Sequence, residues 1–293
     1  MSKILTFHGS IDIFRHMSKD IVFKTSDGEE IQVTTYGDEN LNSGRCLITV
    51  HGFKGFKNWG HGPYTAKYFS DKGFFVITFN FSHNGIGDDP TEFTQLDKFA
   101  VNTFSREIRE LNEIIDAYKN GFFGNCKVGN IGLIGHSRGG AISILTAHKR
   151  DDVDAVVMWA TVASLDRYSE RQKIEWRKKG VFEVLNMRTK QVMRLNSTLL
   201  DDLEQNKDDL LNIENAIKKF NKPLLIVHGD QDLAVKKNEA EQLYEWSNKS
   251  KTEYFLISGA GHTFNVKHPF EGSNERFERV LTKTLNFLQL SFN

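Results

Sequence analysis

The chain has 293 residues with 38 Lys+Arg against 38 Asp+Glu, so its formal net charge is zero and no bulk field draws it to nucleic acid or an anionic membrane. The length suits one large α/β domain or two small ones, and with 39% apolar residues, including 23 Phe, a sizeable core can form. Cys46 and Cys126, its two cysteines, lie at the edges of apolar runs without metal-ligand spacing, and are expected as free buried thiols of a reducing compartment. The first residues, Met-Ser-Lys-Ile-Leu-Thr-Phe-His, lack the apolar stretch of a signal peptide, and no apolar run reaches the length of a membrane span. The expected address is the cytoplasm.

In chain order, Ile21 to Tyr36 alternates apolar and polar residues around Ser26-Asp27-Gly28 and predicts a hairpin. Cys46 to Val50 is a continuous apolar strand running into His51-Gly52-Phe53-Lys54-Gly55. A helix is expected over Tyr64 to Lys72, then a buried strand over Phe74 to Phe81 and a loop from Ser82 to Pro90. Phe104, Ile108, Leu111, Ile114 and Ile115 share one face of a helix from about Val101 to Lys119. Ile131 to Gly140 holds a strand that ends in Gly135-His136-Ser137-Arg138-Gly139, with a helix-forming run directly behind it. Further strands are predicted at Asp154 to Ala160, Lys222 to His228 and Thr252 to Ser258, and a helix bearing Phe277, Val280, Leu281, Leu285 and Leu288 closes the chain.

Strands apolar throughout, alternating with amphipathic helices, predict an α/β fold: a mainly parallel sheet with helices on both faces, the opening hairpin adding antiparallel strands at one edge. One region breaks the alternation. From about Leu165 to Phe220 the sequence is charged and offers no strand. Val192, Leu195, Leu199, Leu200 and Leu203 read as one helical stripe, and Leu210, Ile213, Ala216, Ile217 and Phe220 as another. A single crossover needs far fewer residues, so residues 161–220 are expected as a helical lid insertion between a first core part, 1–160, and a second, 221–293.

Strand, Gly-x-Ser-x-Gly, helix is the arrangement of a nucleophile elbow, whose strained turn lifts the serine Oγ over the sheet edge and requires small residues two before and two after it. Alone, the motif also fits a Gly-rich turn that binds nothing or holds a phosphate on the helix N-terminus. A serine hydroxyl needs a histidine to take its proton and an acid to orient that histidine. If Ser137 is the nucleophile, the acid and then the histidine should follow it in the chain. The strand ending in His228-Gly229-Asp230-Gln231-Asp232 offers two carboxylates. Asp232 lies further into the loop and is preferred, while Asp230 suits turn duty. The last strand leads into Gly259-Ala260-Gly261-His262, which places His262 as general base. His268 is the reserve. His51, His136 and His228 read as structural, His83 as a candidate for lining the pocket, and His8, His16, His61 and His148 lack a strand-end context. Backbone N–H groups of Phe53 and Arg138 are the expected oxyanion donors.

With these loops in this order, the chain resembles the α/β-hydrolase superfamily over nearly its whole length. The His51-Gly52-Phe53 loop and the insertion after Ala160 look like the dienelactone-hydrolase-like and cinnamoyl (feruloyl) esterase-like branch, which overlaps with serine aminopeptidase and acyl-peptidase-like groups. The resemblance implies a Ser137, Asp232, His262 triad, Phe53 and Arg138 donors, and a lid that shapes the pocket. Many relatives carry Val-Pro after the acid, whereas Asp232-Leu233-Ala234-Val235-Lys236 keeps the valine and lacks the proline. The expected activity is that of a serine hydrolase, a carboxylesterase on a small-molecule ester, with no cofactor or metal. Amide or peptide hydrolysis is the alternative, for which Asp201, Asp202 and Glu204 are candidates to hold an α-amino group. A non-enzymatic binding protein on the same scaffold is the remaining reading, and it has no reason to keep all three groups in order. Phe53, Phe56, Trp59, Trp176 and Phe264 are candidate pocket aromatics, equally readable as packing.

Overall fold

A computed structural model describes residues 18–125 and 128–292. The chain opens on strands β1 (Ser18–Lys24) and β2 (Glu30–Tyr36). It continues through β3 (Arg45–Val50), helix α1 (Gly62–Ser70), β4 (Phe75–Phe79), the short α2 (Leu96–Ala100) and α3 (Phe104–Lys119). Strand β5 (Asn130–His136) feeds α4 (Arg138–Ala147), and β6 (Ala155–Trp159) follows. After α5 (Glu170–Lys179) come β7 (Val181–Leu185), β8 (Val192–Asn196), α6 (Ser197–Asn206) and α7 (Ile213–Lys219). Strand β9 (Leu224–Gly229), α8 (Lys237–Trp246), β10 (Thr252–Ile257) and α9 (Glu275–Ser291) complete the chain.

Eight strands form one sheet in the order β1-β2-β4-β3-β5-β6-β9-β10. The β1–β2 and β2–β4 pairs are antiparallel and all the others parallel. This is the α/β-hydrolase fold. Apolar side chains of α3, α4, α7 and α8 cover one face, and those of α1 and α9 cover the other. Strands β4 and β6 are buried at every position, so they read in sequence as apolar runs, broken only by Thr78 in β4. Sequence order reverses around β3, and the turns leaving β3, β5, β9 and β10 emerge at the carboxyl edge, where sites in such sheets form.

The insertion is helical with one addition that the sequence reading missed. Strands β7 and β8 pair as an antiparallel hairpin with Val181 opposite Asn196 and Leu185 opposite Val192. Val192 to Asn196 is therefore extended rather than the first turn of a helical stripe. Met193 and Leu195 are buried while Val192 is 51% exposed, a period of two. The strand runs straight into α6, so Leu195 and Leu199 fall at helical spacing by accident of the junction. A capping box at Ser169 and Gln172 starts α5, and Gly180 at φ 71° turns the chain from α5 into β7. Cys46 is buried on β3. Cys126, His8, His16 and the N-terminal residues lie outside the described residues. Among the described residues, no helix is long and apolar enough to cross a membrane.

Candidate active site

The turn between β5 and α4 has the strain its sequence demands. Ser137 sits at φ 56°, ψ −120°, in the left-handed region that a residue with a Cβ rarely occupies. A Cβ on Gly135 would lie 2.4 Å from the Gly139 carbonyl oxygen, and one on Gly139 would lie 2.2 Å from that of Val50. Both glycines are therefore obligatory. The Ser137 N–H donates to the Trp159 carbonyl at 2.8 Å, which ties the elbow to the end of β6.

The loop after β3 runs hard against this turn. A Cβ on Gly52 would lie 2.9 Å from the His136 carbonyl oxygen, 3.0 Å from Ser137 Cβ and 3.5 Å from the Arg138 nitrogen. Phe53 and Arg138, the two expected donors, thus sit on adjoining backbone segments. Their side chains also meet. The Arg138 guanidinium lies over the Phe53 ring at 4.3 Å and the Phe104 ring at 4.8 Å, and pairs with Glu107 at 3.3 Å. Burial raises the Glu107 carboxyl above its ordinary value, against the pull of Arg138 and of the Asn102 amide, which donates to it at 2.7 Å. The sequence reading gave Arg138 a backbone role only, but its side chain clamps α4 to α3 and to the Phe53 loop.

On the opposite side, His262 Nδ1–H donates to Asp232 Oδ2 at 2.8 Å. The other carboxylate oxygen accepts from the backbone N–H groups of Ala234 and Val235 at 2.8 and 2.9 Å, which leaves Oδ2 to the imidazole. Burial pushes the Asp232 carboxyl up, but the His262 hydrogen bond and charge and the two backbone donors outweigh it and hold the group below its ordinary value. The loop after the acid needs no proline to make this arrangement. Asp230 accepts from the Gly259 N–H at 2.7 Å, a bond between turns. His228 is buried, held neutral by burial, and donates through Nε2 to the Val235 carbonyl at 2.9 Å.

Ser137 and His262 line one cavity of about 560 Å³, with Phe53 beside them. Its inner wall is fully buried, as at Ile134 and Trp159, while its outer wall includes Asn186, Met187 and Arg188 from the hairpin turn of the insertion. Of the candidate aromatics, Phe56 and Trp59 also line it. Trp176 and Phe264 do not: Trp176 packs on Tyr168 and Phe182 inside the insertion, and Phe264 on Trp159 and Phe277. Nor does His83, which is buried on Ser82 away from the cavity. His268 lines the outer part and accepts the Gly60 N–H at 2.8 Å through Nδ1, an architectural task.

Two histidines contribute more than the sequence suggests. His136 Nε2–H donates to the His262 carbonyl at 2.9 Å and so fixes the loop that carries His262. Burial, with the neighbouring His262 and His61, depresses His136 and keeps it neutral. His61 lies at the start of α1, lines the cavity and is depressed to about 4 by burial. It lacks a strand-end context, and its flanking Gly60 and Gly62 do not by themselves mark it as a cavity residue. The acids Asp201, Asp202 and Glu204 lie away from the cavity. Asp202 accepts the N–H groups of Phe104 and Ser105 at the start of α3, and the other two pair with Arg177. Among the described residues, no group of three or more His, Cys, Asp or Glu has a metal-holding arrangement.

Comparison with known proteins yields a consistent likeness. The model of the family described as serine aminopeptidase, S33 matches residues 43–215, and that of the dienelactone hydrolase family matches residues 210–292. No curated protein matches the chain in sequence. Among solved structures, the α/β hydrolase GrgF from Penicillium sp. sh18 superposes with a TM-score of 0.71 at 18% identity, covering 94% of this chain and 99% of the other. Est1E from Butyrivibrio proteoclasticus, with ferulic acid bound, gives 0.67 at 18% identity, over 92% and 98% of the two chains. An esterase from Pyrococcus furiosus gives 0.65 at 18% identity, over 99% and 97%. At such identities the likeness is one of fold.

Proposed function

The chain belongs to the hydrolase family described as serine aminopeptidase, S33, and within it we propose that this protein is a serine hydrolase whose substrates are carboxylic esters. One observation carries the reading: a strained elbow serine and a histidine bound to a buried carboxylate at 2.8 Å line the same cavity. In this reading Ser137 Oγ attacks the ester carbonyl carbon while His262 Nε2 accepts its proton. The tetrahedral oxyanion rests on the N–H groups of Phe53 and Arg138. His262 then returns the proton to the leaving alcohol, and an acyl-enzyme remains. Water, deprotonated by His262, releases the acid and restores Ser137. Asp232 stays ionised throughout and supports the imidazolium.

Ester rather than amino-terminal peptide hydrolysis is favoured by the charge on the cavity wall. A site that grips an α-ammonium group needs an unpaired carboxylate, and the single acidic side chain among the described lining residues, Glu271, is already paired with Lys267 at 2.7 Å. The test is labelling with a fluorophosphonate probe, followed by a panel of nitrophenyl esters, hydroxycinnamate esters and aminoacyl anilides. The wild-type protein should label and Ser137→Ala should not, with esters turned over faster than anilides. An unlabelled wild type, or a labelled Ser137→Ala, removes the serine hydrolase reading. Anilides turned over faster than esters restore the peptidase.

A further inference from the structure

The charged side chains around the cavity do not balance. Lys54, Lys57, Arg188 and Lys267 line it against Glu271. Two of these cations are accounted for: Lys267 pairs with Glu271, and Lys57 lies 3.5 Å from Asp20 and donates to Thr34 Oγ1 at 2.6 Å. Lys54 and Arg188 have no carboxylate partner among the described residues. Their polar contacts are two long bonds to backbone carbonyls, Lys54 Nζ to Leu185 at 3.5 Å and Arg188 to Thr91 at 3.4 Å. Lys54 is half-buried, and burial depresses its ammonium. Arg188 lies near the Phe56 and Phe93 rings and close enough to His268 to depress that imidazole further.

A half-buried cation with no counter-charge is costly, and an isolated one is better explained by a ligand that supplies the charge. The two groups come from different parts of the chain, Lys54 from the loop after β3 and Arg188 from the hairpin of the insertion, and meet at one cavity. The same cavity is lined by the apolar side chains of Phe53, Phe56 and Met187. We propose that Lys54 and Arg188 form an anion subsite that selects esters carrying a free carboxylate on the acyl side, such as half-esters of dicarboxylic acids. The carboxylate is held at the insertion end while the ester carbonyl lies at Ser137, and the apolar wall contacts the carbon chain that joins them. This inference rests on the ester-hydrolase reading and names the substrate class for it.

The test compares 4-nitrophenyl hydrogen glutarate with its methyl ester, which has the same chain and no charge. The wild-type protein should favour the carboxylate by about tenfold in kcat/KM at low ionic strength, and about 0.5 M sodium chloride should erode that ratio. Lys54→Met should lower the ratio by about tenfold and Arg188→Gln by about threefold, the smaller value reflecting the exposed side chain. Using the ratio cancels any general damage to the site. Binding supplies a readout independent of chemistry. Ser137→Ala should bind the 4-nitroanilide of glutarate more tightly than that of its methyl ester by calorimetry, and Lys54→Met in the same background should abolish the difference. A ratio at or below one in the wild type, or one unmoved by both substitutions, overturns the inference. Should the wild type hydrolyse neither ester, the hydrolase reading fails, and the binding comparison in Ser137→Ala still decides whether the anion subsite exists.

Discussion

Replacing Arg138 by methionine tests the clamp behind the elbow. Methionine keeps an unbranched apolar side chain of comparable reach and removes the charge. Three contacts are lost: the pairing with Glu107 at 3.3 Å and the positions over Phe53 at 4.3 Å and Phe104 at 4.8 Å. Two largely desolvated cation–π contacts contribute about 1 kcal/mol each. The buried carboxylate left behind adds about 1–2 kcal/mol at alkaline pH, since it keeps the Asn102 donor and can escape the full penalty by taking up a proton. Glu107 already has a carboxyl raised by burial, and removing the neighbouring cation raises it further. An acid whose folded value lies above its unfolded one stabilises the fold at low pH and loses that contribution as pH rises through the folded value. Arg138→Met should therefore cost about 2 kcal/mol at pH 5 and about 3–4 at pH 8, a loss of about 5 °C in melting temperature at the higher pH. The double variant with Glu107→Gln should recover the pH-dependent part. Thermal melts of the four proteins at both pH values measure this. Equal losses at pH 5 and pH 8, with no recovery in the double variant, would refute the account. Turnover should fall as well, by about tenfold, because the Phe53 loop loses the side chain that holds it against the elbow.

Further outcomes follow from the same geometry. Asp232→Asn should lower kcat by about three to four orders of magnitude with KM little changed, because the amide cannot stabilise the imidazolium and favours the wrong tautomer. Gly139→Ala should destabilise the protein by about 2–4 kcal/mol in urea unfolding, since its Cβ would press on the Val50 carbonyl oxygen at 2.2 Å. Burial lowers both His51 and His61 to about 4, so each contributes stability that is present above the ordinary value of 6.5 and is lost as pH falls toward 4. His61→Phe should flatten the dependence of unfolding free energy on pH over that window by up to about 1.4 kcal/mol per pH unit. An unchanged slope would mean that His61 takes up its proton in the folded protein.

The sheet was legible because burial writes itself into composition: β4 and β6 are buried at every position, and apart from Thr78 every residue in them is apolar. Gly135, Ser137 and Gly139 were legible because the turn admits little else. The pairing of Asp232 with His262 at 2.8 Å follows from two strand-end loops whose place in the sheet the apolar runs already set. The hairpin in the insertion was hidden because its strands are short, half-exposed and joined directly to a helix, so two periods overlap in one stretch. The tasks of Arg138, His136 and His61 depend on partners far away in the chain, such as Glu107 for Arg138 and the His262 carbonyl for His136. No local spacing encodes such partners.

The way the insertion reaches the cavity bears on where specificity can vary. The hairpin turn is not anchored on the elbow. Asn186 bonds to Met193 Sδ within the hairpin, Gln191 donates to the Phe93 carbonyl at 3.0 Å, and Arg188 reaches the Thr91 carbonyl. The last two of these supports lie in the loop between β4 and α2, which carries none of the residues assigned to catalysis. The elbow, by contrast, is fixed by the β3 loop, the end of β6 and α3 through Gly52, Trp159 and Glu107. Two nearly separate sets of contacts therefore hold the two walls of one cavity. Changes in the hairpin and the β4 exit loop can alter which substrate fits without disturbing the strained serine. Changes around Arg138 act on turnover whatever the substrate. The loop after β3 belongs to both sets, because Phe53 packs under Arg138 while Lys54 reaches the Leu185 carbonyl at the hairpin. Movement of the hairpin would thus reach the backbone segment expected to supply an oxyanion donor.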